Sequence, residues 1–305
     1  MPKNKPSERG LALIITLLIT AILVTVIIEI VSAVHLHMFM TGSFKDGQRA
    51  AILAEGGVEL AASSIAELTK DKNYTFITPE DAGRVIPEGE GILNLRVEDE
   101  QAKFPVNLIV YANGETNAEN YAAYARLLNI LKLKEELADT LADWIDINDE
   151  PRSKGAETHD FYGTLSSPYT AKNGPLDSIN EVLLVKGYTP EVSAALFPFI
   201  TVYTDGRINI NTAPKEVIMA LSADITGEMA QRVIDYREKE PFTDTADIRR
   251  VVGFETIGFG LQGRITVKSG VFRIFSRGSI GETVRDVEAV VDLKSGRKID
   301  YWRQR

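Results

Sequence analysis

The stretch from Arg9 to Val34 reads RGLALIITLLITAILVTVIIEIVSAV. Its part from Leu11 to Ile28 contains no charged residue, and only three threonines interrupt the apolar side chains. Eighteen residues of α-helix rise about 27 Å, which is close to the roughly 30 Å of a bilayer's hydrocarbon core. The sequence therefore predicts a membrane-spanning helix over residues 11–34.

The residues before this helix predict its orientation. Lys3, Lys5 and Arg9 precede the apolar run. Lys and Arg next to a span are retained on the cytoplasmic side of the membrane. We therefore expect a single-pass protein with its N-terminus in the cytoplasm and its body outside the cytoplasm.

Gly10 lies at an abrupt boundary between charged and apolar sequence, and this boundary resembles a type IV prepilin leader. In that family a prepilin peptidase cuts between Gly and an apolar residue, here Gly10 and Leu11. Residues 1–10 are then the leader, the new N-terminus is commonly methylated, and the chain stays in the bacterial inner membrane with its body in the periplasm. The alternative is a secretory signal peptide, which is cut after a shorter apolar region. Ser32-Ala33-Val34 matches such a cleavage site poorly.

Ile15 occupies the fifth position counted from Leu11, where most pilins carry Glu. That Glu pairs with the N-terminal ammonium of a neighbouring subunit, and an unpaired ion in hydrocarbon costs several kcal/mol. With Ile15 the chain cannot form this pair with a subunit above it. A place at the tip of a filament is therefore the position that suits it.

Bulk composition excludes several classes of protein. The 305 residues carry a net charge of −9, and there is no cysteine. Disulfides, thiolate metal sites and cysteine nucleophiles are therefore absent. The acidic balance disfavours nucleic acid as a partner, because binding to it depends largely on neutralising phosphates. No sequence motif of a known class of enzyme stands out, and we expect no catalytic activity.

The body begins and ends with sheet-forming patterns. An apolar stripe with helical spacing continues the first helix, formed by Ala51, Ala54, Val58, Ala61, Ile65 and Leu68. Residues 92–98 and 104–110 alternate apolar and polar side chains and predict a β-hairpin connected by residues 99–103. Three further segments are strand-like: residues 264–268, 271–277 and 284–293, with a turn at residues 278–281.

A mostly helical block separates these strands. Its position predicts an all-α insertion, residues 112–262, in a pilin-like α/β domain formed by residues 35–111 and 263–305. The predicted fold class is therefore α+β, with a long N-terminal helix, an antiparallel sheet and an inserted helix-hairpin-helix or SAM-like region.

The inserted block contains a weak internal repeat. Residues 179–191 and 214–233 each show a short helix, a turn and a second helix, and residues 246–253 repeat the first half. Thr189 and Thr226 are expected N-caps. Helix-hairpin-helix units often bind DNA through backbone amides of a Gly-x-Gly turn. Neither turn has that form here, so a structural role of these units is favoured. A membrane-anchored DNA receptor is the alternative function.

The chain as a whole resembles type II secretion system protein K, a minor pseudopilin. The matching segments extend over nearly the whole length: Arg9-Gly10, Asp143-Trp144-Ile145-Asp146, Pro151, Gly155-Ala156-Glu157, Pro168-Tyr169, Lys172-Asn173-Gly174-Pro175, residues 208–213 and residues 237–242. The resemblance implies a pilin-like fold with a helical insertion and a tip complex with minor pseudopilins I and J, which joins pseudopilin H and the major pseudopilin G. It also implies contact with the inner-membrane secretion platform.

The family resemblance also implies calcium in the helical insertion. The segment holding Asp143, Asp146, Asn148, Asp149 and Glu157 is rich in oxygen atoms, which calcium prefers as ligands. Its spacing is not that of an EF-hand. One alternative to a calcium site is that these acids are simply solvated at the C-terminus of a helix. A third interpretation is that Asp143 and Asp146 form the carboxylate dyad of a hydrolase. Asp146, Asp149 and Glu157 are the expected ligands, with Asp143 and Asn148 beside them.

Overall fold

The structure is a computed structural model that describes residues 8–78 and 82–305; residues 1–7 of the predicted leader lie outside them. Its α-helices are α1 (Glu8–Thr69), α2 (Ala118–Ile130), α3 (Leu137–Ile145), α4 (Pro190–Leu196), α5 (Lys215–Ala220), α6 (Gly227–Lys239) and α7 (Ile257–Gly260). Its strands are β1 (Gly83–Glu88), β2 (Gly91–Asp99), β3 (Phe104–Pro105), β4 (Ile200–Thr201), β5 (Ile208–Asn209), β6 (Ile265–Thr266), β7 (Val271–Ile280), β8 (Thr283–Asp292) and β9 (Lys298–Gln304). Short 3-10 helices occupy Glu100–Ala102, Val106–Ile109, Tyr162–Thr164, Ile179–Leu184, Phe197–Phe199 and Thr245–Arg250.

Helix α1 continues from the predicted span into the body as one element of 62 residues, about 93 Å long. The apolar N-terminal half of α1 is not buried by any other described part of the chain: Leu17 is 65% exposed and Phe39 is 73% exposed. Among the described residues, it is the one helix long and apolar enough to cross a membrane. It therefore fits a single-pass membrane anchor.

The C-terminal half of α1 packs against the five-stranded sheet. The side chains that it buries are small or branched, namely Ala50, Ala54, Val58, Ala61, Ala62 and Ile65. Most of the predicted stripe is thus confirmed. Of the remaining predicted residues, Ala51 is only half-buried. Leu68 is 43% exposed, so the packed face ends at Ile65, about one turn before the helix does.

The sheet has the order β1-β2-β7-β8-β9, and all neighbouring strands are antiparallel. Alternate residues of its three central strands face α1 and form one core with it. These residues are Leu93, Leu95, Val97, Phe272, Ile274, Val287, Ala289 and Val291. The predicted strands near residues 271–277 and 284–293 are confirmed as β7 and β8.

The hairpin predicted from residues 92–98 and 104–110 is wrong. β2 pairs with β1 and β7, whereas the chain after it forms the two-residue strand β3 and a 3-10 helix. Phe104, Val106 and Ile109 are buried in a second core. Pro105 has no N–H to donate to a ladder, and a pattern of alternation also arises when a segment enters a helical core. β1 and β9 were not foreseen from the sequence.

Two glycines near the β7–β8 turn have different functions. Gly281 has φ +55° and forms the turn itself, because β7 continues to Ile280. Gly278, which was expected in the turn, lies inside β7. A Cβ there would stand 2.3 Å from the Ala50 carbonyl oxygen, so Gly278 allows α1 to approach the sheet.

The second core belongs to the region from Phe104 to Val267, here called the helical body. This core begins before residue 112 and ends after residue 262, the bounds expected for the insertion. The predicted N-caps are confirmed: Thr189 accepts a hydrogen bond from the Val192 amide, and Thr226 accepts one from the Met229 amide. The first helices of two repeat units, at 179–184 and 245–250, are 3-10 helices.

Asp99 lies where the chain leaves the sheet for the helical body, and Ser269 lies where it returns. The buried Asp99 carboxylate accepts hydrogen bonds from Ser269 Oγ (2.6 Å), Thr212 Oγ1 (2.5 Å), Asn209 Nδ2 (3.2 Å) and the Gln101 amide (2.8 Å). Burial raises the pKa of Asp99 despite these bonds. The two ends of the helical body are therefore joined through one carboxylate.

Glu100, the next residue, is fully buried and ion-paired. It accepts from Arg273 Nε of β7 and from Lys103 Nζ, each at 2.8 Å, and from the Thr201 hydroxyl of β4. Burial by itself would raise the pKa of Glu100, but the charges of Lys103 and Arg273 outweigh it and lower the pKa. This group connects the sheet directly to the helical body.

The close approach of α1 to the sheet can be tested at Gly57. A Cβ at this position would stand 2.2 Å from Ser276 Oγ and 2.6 Å from Leu93 Cδ1. We expect Gly57→Leu to lower the free energy of unfolding by about 1–3 kcal/mol through overpacking. Thermal unfolding of the full chain in detergent measures the change. Gly56→Leu is the matched control: its Cβ meets nothing within 4 Å, so it should stabilise the helix slightly. Equal effects of the two changes would contradict this packing.

Candidate metal centre

The acidic loop, residues 143–160, begins at the C-terminal end of α3. Buried Leu141, Trp144 and Ile145 anchor this end of the helix in the core. Asp143 and Asp146 are both completely buried there. The C-terminus of a helix carries partial negative charge, so two buried carboxylates at this place require compensation by a cation.

Arg152 supplies positive charge to both carboxylates. Its Nη1 lies 2.5 Å from Asp143 Oδ1 and 2.5 Å from Asp146 Oδ2. Its Nη2 donates to Thr116 Oγ1 at 2.8 Å, outside the acidic loop. A single guanidinium nitrogen thus bridges two buried acids, and the rest of the group contacts a separate segment.

Backbone amides complete the surroundings of Asp143. The amides of Ala156 and Arg152 donate to Asp143 Oδ2 at 2.9 and 3.1 Å. A Cβ on Gly155 would stand only 1.6 Å from the same oxygen, so this position requires glycine. Burial raises the pKa of Asp143, and the hydrogen bonds from Arg152 and Ala156 oppose that change.

Glu157 is the buried acid that lacks compensation. Its side chain is 0% exposed, and neither carboxylate oxygen has a hydrogen-bond partner among the residues that the structure describes. Burial, followed by the negative charges of Asp143 and Asp146, raises the pKa of Glu157 to about 8. A third oxygen, Asn173 Oδ1, is also buried without a partner within the described part of the chain. These three oxygens are the unsatisfied buried acceptors in and beside the acidic loop within the described residues.

The two remaining predicted ligands lie at the exposed edge of the loop. Asn148 Nδ2 donates to Asp146 Oδ1 at 2.9 Å, and Asp149 Oδ1 accepts from Asn173 Nδ2 at 3.0 Å. The structure thus brings all five predicted residues into one loop, but only Asp143, Asp146 and Glu157 are buried. That they bind a metal stays a prediction.

The loop fits a hard divalent cation in its chemistry. Its donors are carboxylate and amide oxygens, and Glu157 and Asn173 leave oxygens unpartnered. Within residues 8–78 and 82–305, however, no three His, Cys, Asp or Glu side chains are arranged so that they could hold a metal ion. Arg152 Nη1 stands between the two aspartates. An ion therefore requires the arginine to move.

Sequence reasoning missed Arg152 and the ligand-like Asn173. Arg152 follows Asp146 by six residues, too far for a helical pair and without a spacing that signals contact. Asn173 is distant in sequence and has φ +50°, a left-handed conformation that Asn tolerates better than most residues. Both positions depend on the tertiary structure, which brings Arg152 back to the end of α3 and Asn173 next to Asp149.

The helix-hairpin-helix turns are occupied by contacts within the chain. The Lys186 amide donates to Tyr162 Oη at 3.2 Å, and Lys186 Nζ donates to the Gly155 carbonyl at 3.0 Å. In the second turn the Asp224 amide donates to Ser222 Oγ. These donors already have acceptors within the chain, whereas a phosphate-binding turn needs amides that are free to bind the ligand.

Two family models match the helical body and its connection to the sheet. Both describe Type II secretion system (T2SS), protein K; one covers residues 102–205 and the other covers residues 208–268. Together they match more than half of the chain. The chain belongs to the type II secretion system protein K family. This is a family of secretion-system components rather than of enzymes, and the family resemblance found in the sequence is confirmed.

Curated protein K sequences match over most of their length. The chain is 26% identical over 296 residues to type II secretion system protein K of Pseudomonas aeruginosa, which covers 90% of this chain and 86% of that protein. It is 24% identical over 312 residues to the protein of Aeromonas hydrophila, which covers 93% of this chain and 92% of that protein.

The fold is also that of a solved relative. A chain in the crystal structure of the GspK-GspI-GspJ complex from the enterotoxigenic Escherichia coli Type 2 Secretion System superposes with a TM-score of 0.73 at 20% identity. The match covers 87% of this chain and 99% of that chain. The expected pilin-like α+β fold of this protein K is thereby confirmed.

The unusual pKa of Glu157 predicts a pH dependence of stability in the presence of a chelator. The pKa is raised from the ordinary value of about 4.3 to about 8. The contribution of protonated Glu157 to the free energy of unfolding is therefore fully present below about pH 4.3, and it is lost as the pH rises through 8. We expect the free energy of unfolding to fall by about 2 kcal/mol between pH 5 and 9, allowing for solvent screening.

Glu157→Gln should remove this part of the pH dependence and make the chain more stable than wild type at pH 9. Thermal unfolding in detergent at several pH values, with EGTA present, measures it. Glu150→Gln, an exposed acid in the same loop, is the control and should follow the wild-type profile. A Glu157→Gln profile parallel to wild type would contradict the raised pKa.

Proposed function

We propose that this protein K is a minor pseudopilin that assembles with minor pseudopilins I and J at the tip of a type II secretion pseudopilus. There it supports protein export across the outer membrane, together with pseudopilin H and the major pseudopilin G. The family and the shared fold support this proposal, since the E. coli relative is part of a GspK-GspI-GspJ complex.

The observation that carries the proposal is the length of the apolar part of α1. From Leu11 to Phe44, apart from two histidines, Glu29 is the one ionisable residue. These 34 residues rise about 51 Å, roughly 20 Å more than a hydrocarbon core. The excess carries exposed Met38, Phe39 and Met40. Such a surface requires neighbouring apolar helices outside the bilayer, and helices of other pseudopilins would supply them.

Ile15 and the helical body support a place at the tip. Ile15 is 47% exposed on α1 and offers no charge to a subunit stacked above. The helical body adds a second core to the pilin-like domain. A bulky body is more easily accommodated at the end of a filament than between repeated subunits.

The proposal includes processing and topology. Lys3, Lys5 and Arg9 keep the N-terminus cytoplasmic, a prepilin peptidase cuts between Gly10 and Leu11, and the body lies in the periplasm. The processed chain is then assembled from the inner-membrane secretion platform.

The proposal also includes a calcium ion in the acidic loop. Asp143, Asp146 and Glu157 would hold it from inside, with Asn148 and Asp149 adding oxygens at the edge. The ion would supply positive charge that connects α3 to the loop. This role is structural, since bound calcium stabilises the folded state by mass action.

Processing can be tested by mass spectrometry of the chain isolated from cells with a type II system. We expect a mature N-terminus at Leu11 that carries a methyl group. Gly10→Leu should leave the leader attached, whereas Gly42→Leu on the same helix, where a Cβ meets nothing within 4 Å, should not. An intact Met1 in the wild type, or cleavage near residue 34, would refute this part of the proposal.

Assembly through α1 can be tested by co-purification with pseudopilins I and J. Phe39→Glu places a charge on the extramembrane apolar surface and should reduce recovery of I and J at least about tenfold. Val252→Glu is the control, because Val252 is similarly exposed at 65% but lies on the helical body. Undiminished recovery with Phe39→Glu would argue against helix packing at this level.

A further inference from the structure

Arg152 has contacts that place it in two parts of the protein at once. Its Nη1 bridges the buried carboxylates of Asp143 and Asp146, and its Nη2 holds the Thr116 hydroxyl. The side chain is 20% exposed, so it has a route to solvent. An ion that binds two aspartates from between them would occupy the position of this nitrogen.

The charges of the loop explain why an arginine in this position matters. Asp143 and Asp146 are paired with one cation, while Glu157 is buried beside them without any partner in the described residues. A purely structural arginine would account for the two aspartates but not for Glu157 or for the free Asn173 oxygen. Three buried acids thus share one arginine, and one of the three has no partner among the described residues.

We propose that Arg152 is an internal counter-ion that stabilises the metal-free loop and leaves Asp143 and Asp146 when a divalent cation binds. This inference rests on the calcium ion included in the proposed function. Arg152 and the ion compete for the same two carboxylates, and like charges at such short distances repel strongly in a buried site. Arg152 thus lowers the affinity for the ion and makes the loop stable in its absence.

The second contact of Arg152 connects the site to a neighbouring surface. Thr116 forms a β-bridge with Val110, and this short segment follows the 3-10 helix after β3. When Arg152 swings away, its hydrogen bond to Thr116 is lost. Tyr111 in this segment is 55% exposed. Binding of the ion therefore loosens residues 110–117 and alters an exposed patch of the helical body.

Calorimetric titration of calcium into the full chain in detergent, after treatment with EGTA, tests the competition. We expect Arg152→Met to bind calcium at least about tenfold more tightly than wild type. With EGTA its thermal midpoint should lie below the wild-type value, because the carboxylates lose their counter-ion. Calcium should then raise the midpoint of the variant more than that of wild type. Arg232→Met, which removes an exposed arginine of α6 paired with Glu228, should behave as wild type.

Hydrogen exchange with and without calcium separates displacement of Arg152 from a purely structural role, because a structural arginine would leave the exchange of residues 110–117 independent of calcium. In wild type, calcium should accelerate exchange in residues 110–117, whereas in Arg152→Met it should not, because the contact with Thr116 is already absent. If Arg152→Met does not fold, Arg152→Lys takes its place in the experiment. Lysine keeps the positive charge, but it cannot bridge both carboxylates and reach Thr116 at the same time. Its calcium affinity should exceed that of wild type.

The outcomes separate this inference from the calcium proposal. If the calcium affinities of wild type and Arg152→Met agree within a factor of two, the ion does not displace Arg152, and this inference is overturned. The calcium proposal itself then still stands. Unchanged exchange in residues 110–117 of calcium-loaded wild type would likewise overturn it. Absence of calcium binding by wild type and by both Arg152 variants would overturn the two proposals together.

Discussion

Two adjacent buried acids at the end of β2 hold the sheet and the helical body in a fixed arrangement. Asp99 is satisfied by neutral donors, among them Ser269 just after the helical body and Thr212 within it, and Glu100 by the cations of Arg273 and Lys103. A buried carboxylate that lost its partners would cost several kcal/mol. The two cores therefore meet in one arrangement, and the position of the acidic loop relative to α1 follows from it.

The free-energy cost of burying acidic side chains is offset in several ways in this protein, and Glu157 is the exception. Neutral donors surround Asp99, lysine and arginine surround Glu100, and one bridging arginine compensates the pair at the end of α3. Glu157 has none of these, and its pKa rises to about 8. Buried polar groups in native proteins are normally hydrogen-bonded, so Glu157, which has no partner among the described residues, departs from that rule. It is this contrast, more than the number of acids, that sets the acidic loop apart.

Much of the architecture was predictable because it depends on local pattern. The span, the N-caps Thr189 and Thr226, and the alternation of β7 and β8 are properties of neighbouring residues. The prediction failed where a pattern was compatible with two environments. Residues 104–110 alternate as a strand would, but they enter the helical core. The candidate loop was recognisable from its acids, whereas the pairing of Arg152 with them was not.

The sequence by itself determined that the chain has one long apolar helix, an acidic body without cysteine and a helical region between two sets of strands. These features follow from hydrophobicity and from short-range spacing, which act along the chain. Only the tertiary structure decided which strands are neighbours, where the second core begins and which acids receive a counter-ion. The reason is that burial and ion pairing arise from residues far apart in sequence, as in the contact of Asp99 with Ser269. Their free energies depend on distances that exist only in the folded chain.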